Sequence, residues 1–326
     1  MRAFDYATPS TVTDALDLAK PGSAFLAGGT TLVDLMKLDV LTPDRVIDVN
    51  RLPLKGIRLK ESTLRIGALE RMSDVAAHPV VTSVHPMISR ALLLSASGQL
   101  RNMASIGGNL MQRTRCDYFR DVTSACNKRI PGSGCPALTG VNRGHAILGT
   151  SDTSRSRPTP GDVAVAFVAL EAQVVLRGKG GDRTVALEDF YRLPGSTPER
   201  ENVLGPGELI AEVVVPVLPW TRHSTYLKIR DRQSYEFALT SVAAAVNLKR
   251  GVVQDVRIAA GGVGTKPWRL RGVEERLKGA VAVERTFAEA AESAVDGARP
   301  LAHNAFKTSL LKRSIVRALL DAAGVR

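Results

Sequence analysis

Three short stretches of the 326-residue chain carry residue types that could do chemistry. The first, residues 25–32, is an apolar run that turns on Gly28 and Gly29 into Thr30 and Thr31, just before a helix-like pattern. A strand that turns through glycines into a helix presents backbone N–H groups and the positive end of a helix dipole, which suits a phosphate. Because Gly-Gly is also common in ordinary turns, this stretch alone leaves an anion-binding loop and a simple turn open.

The second stretch, residues 100–110, contains a further glycine pair, Gly107 and Gly108, between the hydrogen-bonding side chains of Ser105 and Asn109. Glycines let a ligand approach the backbone closely, and hydroxyl and amide groups supply donors and acceptors. Asn109 by itself is also consistent with capping a turn. The chain therefore contains two glycine pairs that are each flanked by hydrogen-bonding side chains.

The third stretch contains every cysteine of the chain, Cys116, Cys126 and Cys135. An odd number confined to one short stretch argues against a disulfide framework. Thiolates bind metals and iron–sulfur clusters, and neighbouring basic side chains stabilise them. Residues 111–160, which surround the cysteines, are polar and lack helical or strand periodicity, and so long a loop is usually functional or disordered. We predict an insertion that ligates a metal or cluster, with chance clustering as the alternative.

Composition excludes several classes of function. No apolar run reaches the roughly 18 residues of a membrane span, and no apolar segment of a signal peptide follows Met1. We therefore expect a cytoplasmic protein, or one carried folded into the periplasm by a signal-bearing partner. The net charge of +12 would suit nucleic acid, but aromatic residues make up only 5% and are not interleaved with the basic stretches. A basic face for an acidic partner subunit or an anionic cofactor explains the charge.

Periodicity divides the chain into three units that would position these stretches. Residues 1–54 form an α/β unit, with helices over 10–19 and 31–37 and strands over 24–27 and 45–49, which implies a parallel strand pair. Residues 55–218 surround the insertion and include a buried helix over 162–170 and strands over 173–177, 184–187 and 209–217. Residues 219–326 form an α+β domain with strands over 224–229, 238–247 and 252–260 and amphipathic helices over 280–295 and 307–323.

Taken in order, the two glycine-rich stretches and a third motif, Pro160-Gly161-Asp162, resemble those of the FAD-binding subunit of the molybdo-flavoenzymes. This family includes xanthine dehydrogenase, carbon monoxide dehydrogenase and aldehyde oxidoreductase relatives. The resemblance extends over nearly the whole chain and includes residues 226–228 and 260–269. It implies an α+β fold in which units 1–54 and 55–218 are the two FAD-binding subdomains of a PCMH or vanillyl-alcohol-oxidase-like fold. Residues 219–326 would be a C-terminal α+β domain of the CO-dehydrogenase-flavoprotein type.

The resemblance also implies which residues hold FAD. The pyrophosphate loop comprises Leu26, Ala27, Gly28, Gly29, Thr30, Thr31 and Leu32. Ser105 and Asn109 hydrogen-bond the phosphate and ribityl region, and Gly107 and Gly108 lie against the cofactor. Asp162 contacts polar groups beside the flavin, and Leu209 or Ile210 packs on the isoalloxazine ring. Lys228 lies near the ring, where a positive charge favours the anionic reduced flavin.

Without the resemblance, four of these residues have purely structural explanations. Asp162 could be the N-cap of the helix that follows it. Lys228 could lie on a solvated strand face, and Leu209 and Ile210 could be ordinary core residues. We expect no residue of this chain to act as an acid or base on the organic substrate.

The cysteine stretch resembles one branch of the family, the bacterial aldehyde oxidoreductases of periplasmic type, whose FAD subunit holds an additional [4Fe–4S] cluster. That branch places a fourth cysteine just before the aspartate motif, whereas residues 151–157 contain none. Three outcomes follow. Ser154, Asp152 or His145 completes the cluster; the three cysteines hold a [3Fe–4S] or labile cluster; or the cluster is lost and the cysteines are relics.

The resemblance implies the FAD-binding electron-transfer subunit of a molybdenum hydroxylase that oxidises an aldehyde. In the implied heterotrimer, a large partner subunit carries the molybdenum cofactor and a small partner carries [2Fe–2S] clusters. Electrons would pass from those clusters to FAD on this chain and then to an external acceptor. The alternatives are a stand-alone FAD-dependent oxidase or reductase and a basic nucleic-acid-binding protein.

Overall fold

The loop between the first parallel strands leads directly into a helix, as the sequence predicts. The structure is a computed structural model that describes residues 1–158 and 161–325. The elements of the first unit are β1 (Asp5–Ala7), α1 (Val12–Leu18), β2 (Ser23–Leu26), α2 (Leu32–Lys37) and β3 (Arg45–Asp48). Strands β2 and β3 pair in parallel in a sheet of order β1-β3-β2, which confirms the predicted parallel pair. The Gly-Gly-Thr-Thr loop therefore lies at the carboxyl edge of this sheet.

A five-stranded sheet and a layer of helices form the second unit. Its strands are β4 (Ile57–Lys60), β5 (Thr63–Gly67), β6 (Gln173–Gly178), β7 (Gly181–Ala186) and β8 (Leu209–Pro216), in the order β4-β5-β8-β6-β7. Its helices are α3 (Met72–Ala77), α4 (Pro79–Val84), α5 (Pro86–Leu93), α6 (Gly98–Met103), α7 (Ile106–Leu110), α8 (Asp117–Arg120), α9 (Asp162–Ala169) and α10 (Leu187–Phe190). All eight residues of α9 are buried, which confirms the predicted buried helix.

Residues 111–158 are largely irregular, as predicted. Apart from α8, their regular structure is one 3₁₀ turn at Pro136–Leu138. Side chains hydrogen-bond to backbone groups in this segment. The Arg129 side chain, for example, donates to the carbonyls of Tyr118, Phe119 and Ser124. Such bonds hold a loop without a hydrogen-bond ladder of its own. Thr159 and Pro160, the latter from the third motif, lie outside the described residues.

The third unit is an antiparallel sheet covered by helices. Its elements are β9 (Ser224–Ile229), β10 (Thr240–Lys249), β11 (Val252–Gly261), β12 (Trp268–Arg269), α11 (Arg271–Leu277), α12 (Glu284–Ala291) and α13 (Phe306–Ala323). The sheet order is β12-β11-β10-β9. The helix predicted over 280–295 begins only at Glu284 and changes to a 3₁₀ turn at Glu292. Within the described ranges, no helix is long and apolar enough to cross a membrane.

Strand β10 joins the two large cores of the molecule. Ala243 and Ala245 belong to the core shared with α5 and α9, whereas Val242, Ala244 and Val246 belong to the core beneath α12 and α13. Because side chains of a strand alternate between its faces, one strand can serve two cores when every position is apolar. This burial explains why an alanine-rich segment forms a strand.

Acid is expected to destabilise the fold through His85. This side chain is fully buried, and burial lowers its pKa from 6.5 to about 4. Between those values the unfolded chain binds a proton that the native state excludes, so the free energy of unfolding falls as pH falls from 6.5 towards 4, by up to about 3 kcal/mol. Urea denaturation at pH 7 and pH 4.5 should show this loss. His85→Leu should make the loss smaller by about this amount, and His145, whose pKa burial also lowers to about 4, should account for a further part of it. The exposed His303→Leu should leave the loss unchanged, and equal pH profiles for the wild type and both variants would contradict the prediction.

Candidate functional site

Eleven of the predicted binding residues surround one cavity of about 320 Å³. They are Ala27, Gly28, Gly29, Thr30, Thr31, Leu32, Ser105, Gly107, Gly108, Leu209 and Ile210. The structure thus brings the loop after β2, the start of α7 and the start of β8 to one place, although the outermost of these residues, Ala27 and Ile210, lie 183 positions apart in the sequence. Leu26 ends β2 and does not line the cavity.

A second cavity of about 210 Å³ adjoins the first and is lined by the remaining three predicted residues, Asn109, Asp162 and Lys228. The two cavities share Thr30, Thr31 and Gly108 as a common wall. An elongated ligand with a phosphate-rich middle would therefore reach both cavities past the Gly-Gly-Thr-Thr loop. This shape suits a dinucleotide better than a small anion.

The glycines of the loop are required by the protein as well as by a ligand. A Cβ on Gly28 would lie 2.1 Å from the carbonyl oxygen of Met103, and Gly29 has a φ of +72°. The loop thus packs directly against the backbone between α6 and α7. The sequence interpretation attributed the close approach at Gly28 to the cofactor, whereas the close approach in the structure is to Met103.

Gly28→Ala is therefore expected to destabilise the FAD-free protein, by about 1–3 kcal/mol, because the added carbon overlaps backbone that must move. Thermal or urea unfolding of the FAD-free protein measures this loss. Gly180→Ala is the matched control, since a Cβ there meets nothing within 4 Å. If the Gly28 variant unfolded at the same temperature or urea concentration as the wild type, this would contradict the close packing of Gly28 against the backbone of Met103.

Ser105 begins the second wall of the cavity. Its Oγ accepts from the backbone N–H of Gly108 at 3.1 Å, so it is the N-cap of α7. This bond uses the hydroxyl as an acceptor and leaves its proton to donate to a ligand. The sequence did not predict α7, because the helix contains Gly107 and Gly108, which disfavour helical structure.

Two buried polar atoms at the second cavity, Asn109 Oδ1 and Gln112 Nε2, have no hydrogen-bond partner among residues 1–158 and 161–325. Asn109 Nδ2 contacts only the sulfur of Met72, at 3.4 Å, so the side chain does not cap a turn. An unpaired acceptor and an unpaired donor lining one cavity are typical of a site completed by a polar ligand. These residues fit a group such as FAD. Gln112 was missed by the sequence analysis because it lies within the apparently irregular insertion.

Asp162 and Lys228 form a buried ion pair in the wall of this cavity. Lys228 Nζ donates to Asp162 Oδ2 at 2.9 Å and to the carbonyl of Leu94 at 3.0 Å. Tyr226 donates to Asp162 Oδ1 at 2.7 Å and Ser95 to Oδ2 at 3.0 Å. Burial, and then the negative charge of Asp162, raise the pKa of Tyr226 well above 10.

This ion pair decides between the alternatives that the sequence left open. The Lys228 side chain is only 2% exposed, so the alternative that it lies on a solvated strand face is wrong. Asp162 is the first residue of α9 and its cap is Gly161, so the N-cap role is wrong as well. Tyr226 could have been found from the sequence, because it lies two residues before Lys228 and shares its strand face.

The three cysteines lie in a partly buried, basic region. Cys116 and Cys126 are buried and Cys135 is partly exposed. Cys116 Sγ lies 3.4 Å from His145 Nε2, and the backbone N–H of Arg155 donates to Cys135 Sγ at 3.5 Å. Among the described residues, no three Cys, His, Asp or Glu side chains are arranged to hold a single metal ion.

Hydrogen bonds place the segment 153–157 along these cysteines. Asn127, next to Cys126, donates to the carbonyl of Thr153 at 2.7 Å. Thr114 Oγ1 donates to the carbonyl of Arg157 at 2.6 Å and accepts from the N–H of Cys116. Ser154, between these anchors, is 3% exposed. By contrast, Asp152 is exposed and pairs with Arg299 at 2.5 Å.

Three buried nitrogens near the cysteines also lack a hydrogen-bond partner in the part of the chain that the structure describes: Arg115 Nε, Arg155 Nε and His145 Nδ1. Each belongs to a residue that adjoins a cysteine in sequence or contacts one in space. Unpaired buried donors of two arginines next to thiols indicate a missing acceptor. An anionic iron–sulfur cluster fits this donor set.

Comparison with known proteins agrees with this geometry. Residues 2–218 match the family of the FAD binding domain in molybdopterin dehydrogenase, and residues 225–322 match the CO dehydrogenase flavoprotein C-terminal domain. The chain is 46% identical over 327 residues to the aldehyde oxidoreductase FAD-binding subunit PaoB of Escherichia coli (strain K12), which covers 99% of each chain. It is 29% identical to the carbon monoxide dehydrogenase medium chain of Hydrogenophaga pseudoflava, over 97% of this chain and 96% of that one.

Solved structures show the same fold. Carbon monoxide dehydrogenase from Hydrogenophaga pseudoflava superimposes with a TM-score of 0.77 at 26% identity, covering 99% of this chain and 98% of that chain. The reconstituted CO dehydrogenase from Oligotropha carboxidovorans, at 22% identity, gives a TM-score of 0.79 over 100% of this chain and 99% of that chain. Both the predicted α+β fold and the predicted family are confirmed. The chain therefore belongs to the FAD-binding subunits of the molybdopterin dehydrogenase family.

Proposed function

We propose that this chain is the FAD-binding electron-transfer subunit of a molybdenum-containing aldehyde oxidoreductase. The observation that carries the proposal is that fourteen of the fifteen residues expected at FAD line two adjoining cavities. The 46% identity to an aldehyde oxidoreductase subunit supports an aldehyde as the substrate class. FAD, when bound, supplies the redox chemistry that links one-electron and two-electron carriers.

The residues of this chain bind and orient FAD rather than act on the substrate. Thr30, Thr31 and the amides of their loop would hold the diphosphate, and Ser105 would donate its hydroxyl proton to it. Asn109 Oδ1 and Gln112 Nε2 would pair with polar groups in the second cavity. Leu209 and Ile210 offer the apolar wall for a ring. Lys228 would face the ring with its charge balanced by Asp162, so we expect it to orient the flavin more than to change its net charge.

The subunit organisation follows from the relatives. Medium chains and FAD-binding subunits belong by name to larger complexes. We propose a large partner with the molybdenum cofactor and a small partner with [2Fe–2S] clusters, in a heterotrimer. The net charge of +12 would favour docking on acidic partner surfaces. Co-expression and purification should yield a complex containing molybdenum, iron and FAD; a flavin-containing chain that purifies alone would instead indicate a stand-alone flavoenzyme.

Within this function, we propose an iron–sulfur cluster on Cys116, Cys126 and Cys135 with Ser154 as the fourth ligand. Asp152 is engaged with Arg299 at the surface. His145 Nε2 lies at hydrogen-bonding distance from Cys116 Sγ, which suits a donor to a ligand sulfur. Each iron of a cubane cluster takes its own protein ligand, so two ligands in mutual contact would not serve two irons. The buried Ser154, whose segment is anchored beside Cys126 and Cys135, supports the remaining assignment.

Asn109→Leu tests the FAD site directly. Removing the unpaired acceptor should raise the Kd of FAD by about 10–100-fold, the value of a buried hydrogen bond. The FAD-free protein should be at least as stable as the wild type, because an unsatisfied buried polar atom is removed. Flavin fluorescence titration and urea denaturation measure the two effects. Asn247→Leu, on the C-terminal sheet, is the control; an unchanged Kd in Asn109→Leu would argue against this pocket.

A further inference from the structure

Helix α2 connects the FAD cavity to the cysteine segment, defined here as residues 113–135. The Gly-Gly-Thr-Thr loop precedes α2, and Asp34 lies in its first turn. Arg115 Nη1 and Arg120 Nη1 donate to Asp34 Oδ2 at 2.6 and 2.9 Å, and Arg120 Nη2 donates to Oδ1 at 2.9 Å. Arg115 directly precedes Cys116. One carboxylate thus holds two arginines that flank the first cysteine.

Apolar packing reinforces this connection. Leu35, the residue after Asp34, lines the FAD cavity and is 1% exposed. It also belongs to a small apolar cluster with Cys116, Phe119 and Cys126. Helix α2 is therefore one wall between the two sites. A displacement of the cysteines would be transmitted to α2 through both Asp34 and Leu35.

A second ion pair leads from the cysteine segment to another side of the cavity. Glu201 pairs with Arg113 and, at 2.8 Å, with Lys128. Arg113 lines the FAD cavity and lies 4.6 Å over the ring of Phe119. The cavity and the cysteines therefore share two walls, and Asp34 has the closest connection to the phosphate loop.

We propose that Asp34 is a positioning residue that couples FAD binding to occupation of the cysteine site. The proposal rests on the proposed function, since both cofactors must bind. A cluster bound by Cys116 fixes the backbone of the segment and hence Arg115 and Arg120. The bidentate bond from Arg120 and the single bond from Arg115 to Asp34 then fix α2, which at six residues is too short to be stable alone. An ordered α2 presents the phosphate loop, so each cofactor raises the affinity for the other.

The test uses the full-length chain in two forms, iron-free and reconstituted with ferrous iron and sulfide. The Kd of FAD is measured for each by flavin fluorescence. Reconstitution should tighten FAD binding about tenfold, within the usual range of coupling between sites. By reciprocity, saturating FAD should slow iron release to a chelator by a similar factor. Asp34→Asn should reduce both ratios to near one, because a neutral amide cannot hold two guanidinium groups as the carboxylate does.

Two further variants make the result decisive. Asp17 lies on α1 and forms an exposed ion pair with Lys179. Asp17→Asn removes this carboxylate and should keep the tenfold ratio between the FAD Kd values of the iron-free and reconstituted forms. Arg120→Gln should reproduce the loss of coupling seen with Asp34→Asn. If Asp34→Asn does not fold, Arg120→Gln serves in its place. The coupling is overturned if the ratio of FAD Kd values is near one in the wild type, or if it is unchanged in Asp34→Asn and Arg120→Gln. In either case, a wild-type chain that still binds flavin and iron leaves the proposed function intact. A wild-type chain that binds neither FAD nor iron overturns both.

Discussion

Lys228→Met is expected to lower the free energy of unfolding by about 3–5 kcal/mol, the usual cost of leaving one member of a buried ion pair without its partner. Asp162 would retain the hydroxyl donors Ser95 and Tyr226 but lose the cation that is bound to it. The carboxylate would then remain charged at high cost or take up a proton. Urea denaturation of the FAD-free protein at pH 7 measures the loss.

The double variant Asp162→Asn, Lys228→Met should recover most of this stability, because it removes both charges together. Lys249→Met, at the exposed end of β10, serves as the surface control and should change little. A destabilisation no larger than that of the surface control would mean that the pair is not buried in solution. FAD binding by the double variant then separates the two roles: a stable protein with weakened FAD binding supports a direct role of the pair at the flavin.

Ser154→Ala is expected to release the iron atom that the serine would hold, reducing bound iron from about four to about three atoms per chain after anaerobic reconstitution. Ser154→Cys should retain the iron, since a thiolate is the usual ligand at such a position, and should alter the electron paramagnetic resonance spectrum of the reduced cluster. Iron and sulfide analysis with the spectrum provides the measurement. Cys126→Ala is the positive control for loss.

The same experiment distinguishes the other outcomes that the sequence left open. If His145 were the fourth ligand, His145→Ala would lose the iron and Ser154→Ala would keep it. If the cysteines held a three-iron cluster, the wild type would bind about three irons and neither substitution would matter. An iron-free wild type would identify the cysteines as relics.

Local signals determined much of the architecture. The turn from β2 through Gly28 and Gly29 into α2, the all-apolar α9 and the strands of the C-terminal sheet each depend on residues close together in the chain. For the same reason, motifs identified fourteen of the residues that line the two cavities. The exceptions were segments whose intrinsic propensities point elsewhere, such as α7 with its two glycines and the helix expected from residue 280 that starts at Glu284.

Tertiary structure alone decided which of these residues meet and what surrounds them. Asp34 lies 86 residues from Arg120 in sequence, and Asp162 lies 67 residues from Ser95 and 64 from Tyr226. Burial and charge at such positions depend on which distant segments exclude water from them, and no local pattern encodes this. The amino-acid sequence by itself therefore determined the family, the glycine-rich loop between β2 and α2, and the three thiols. Folding decided that Lys228 is buried, that Gly28 packs on Met103, and that one short helix separates the FAD cavity from the cysteines.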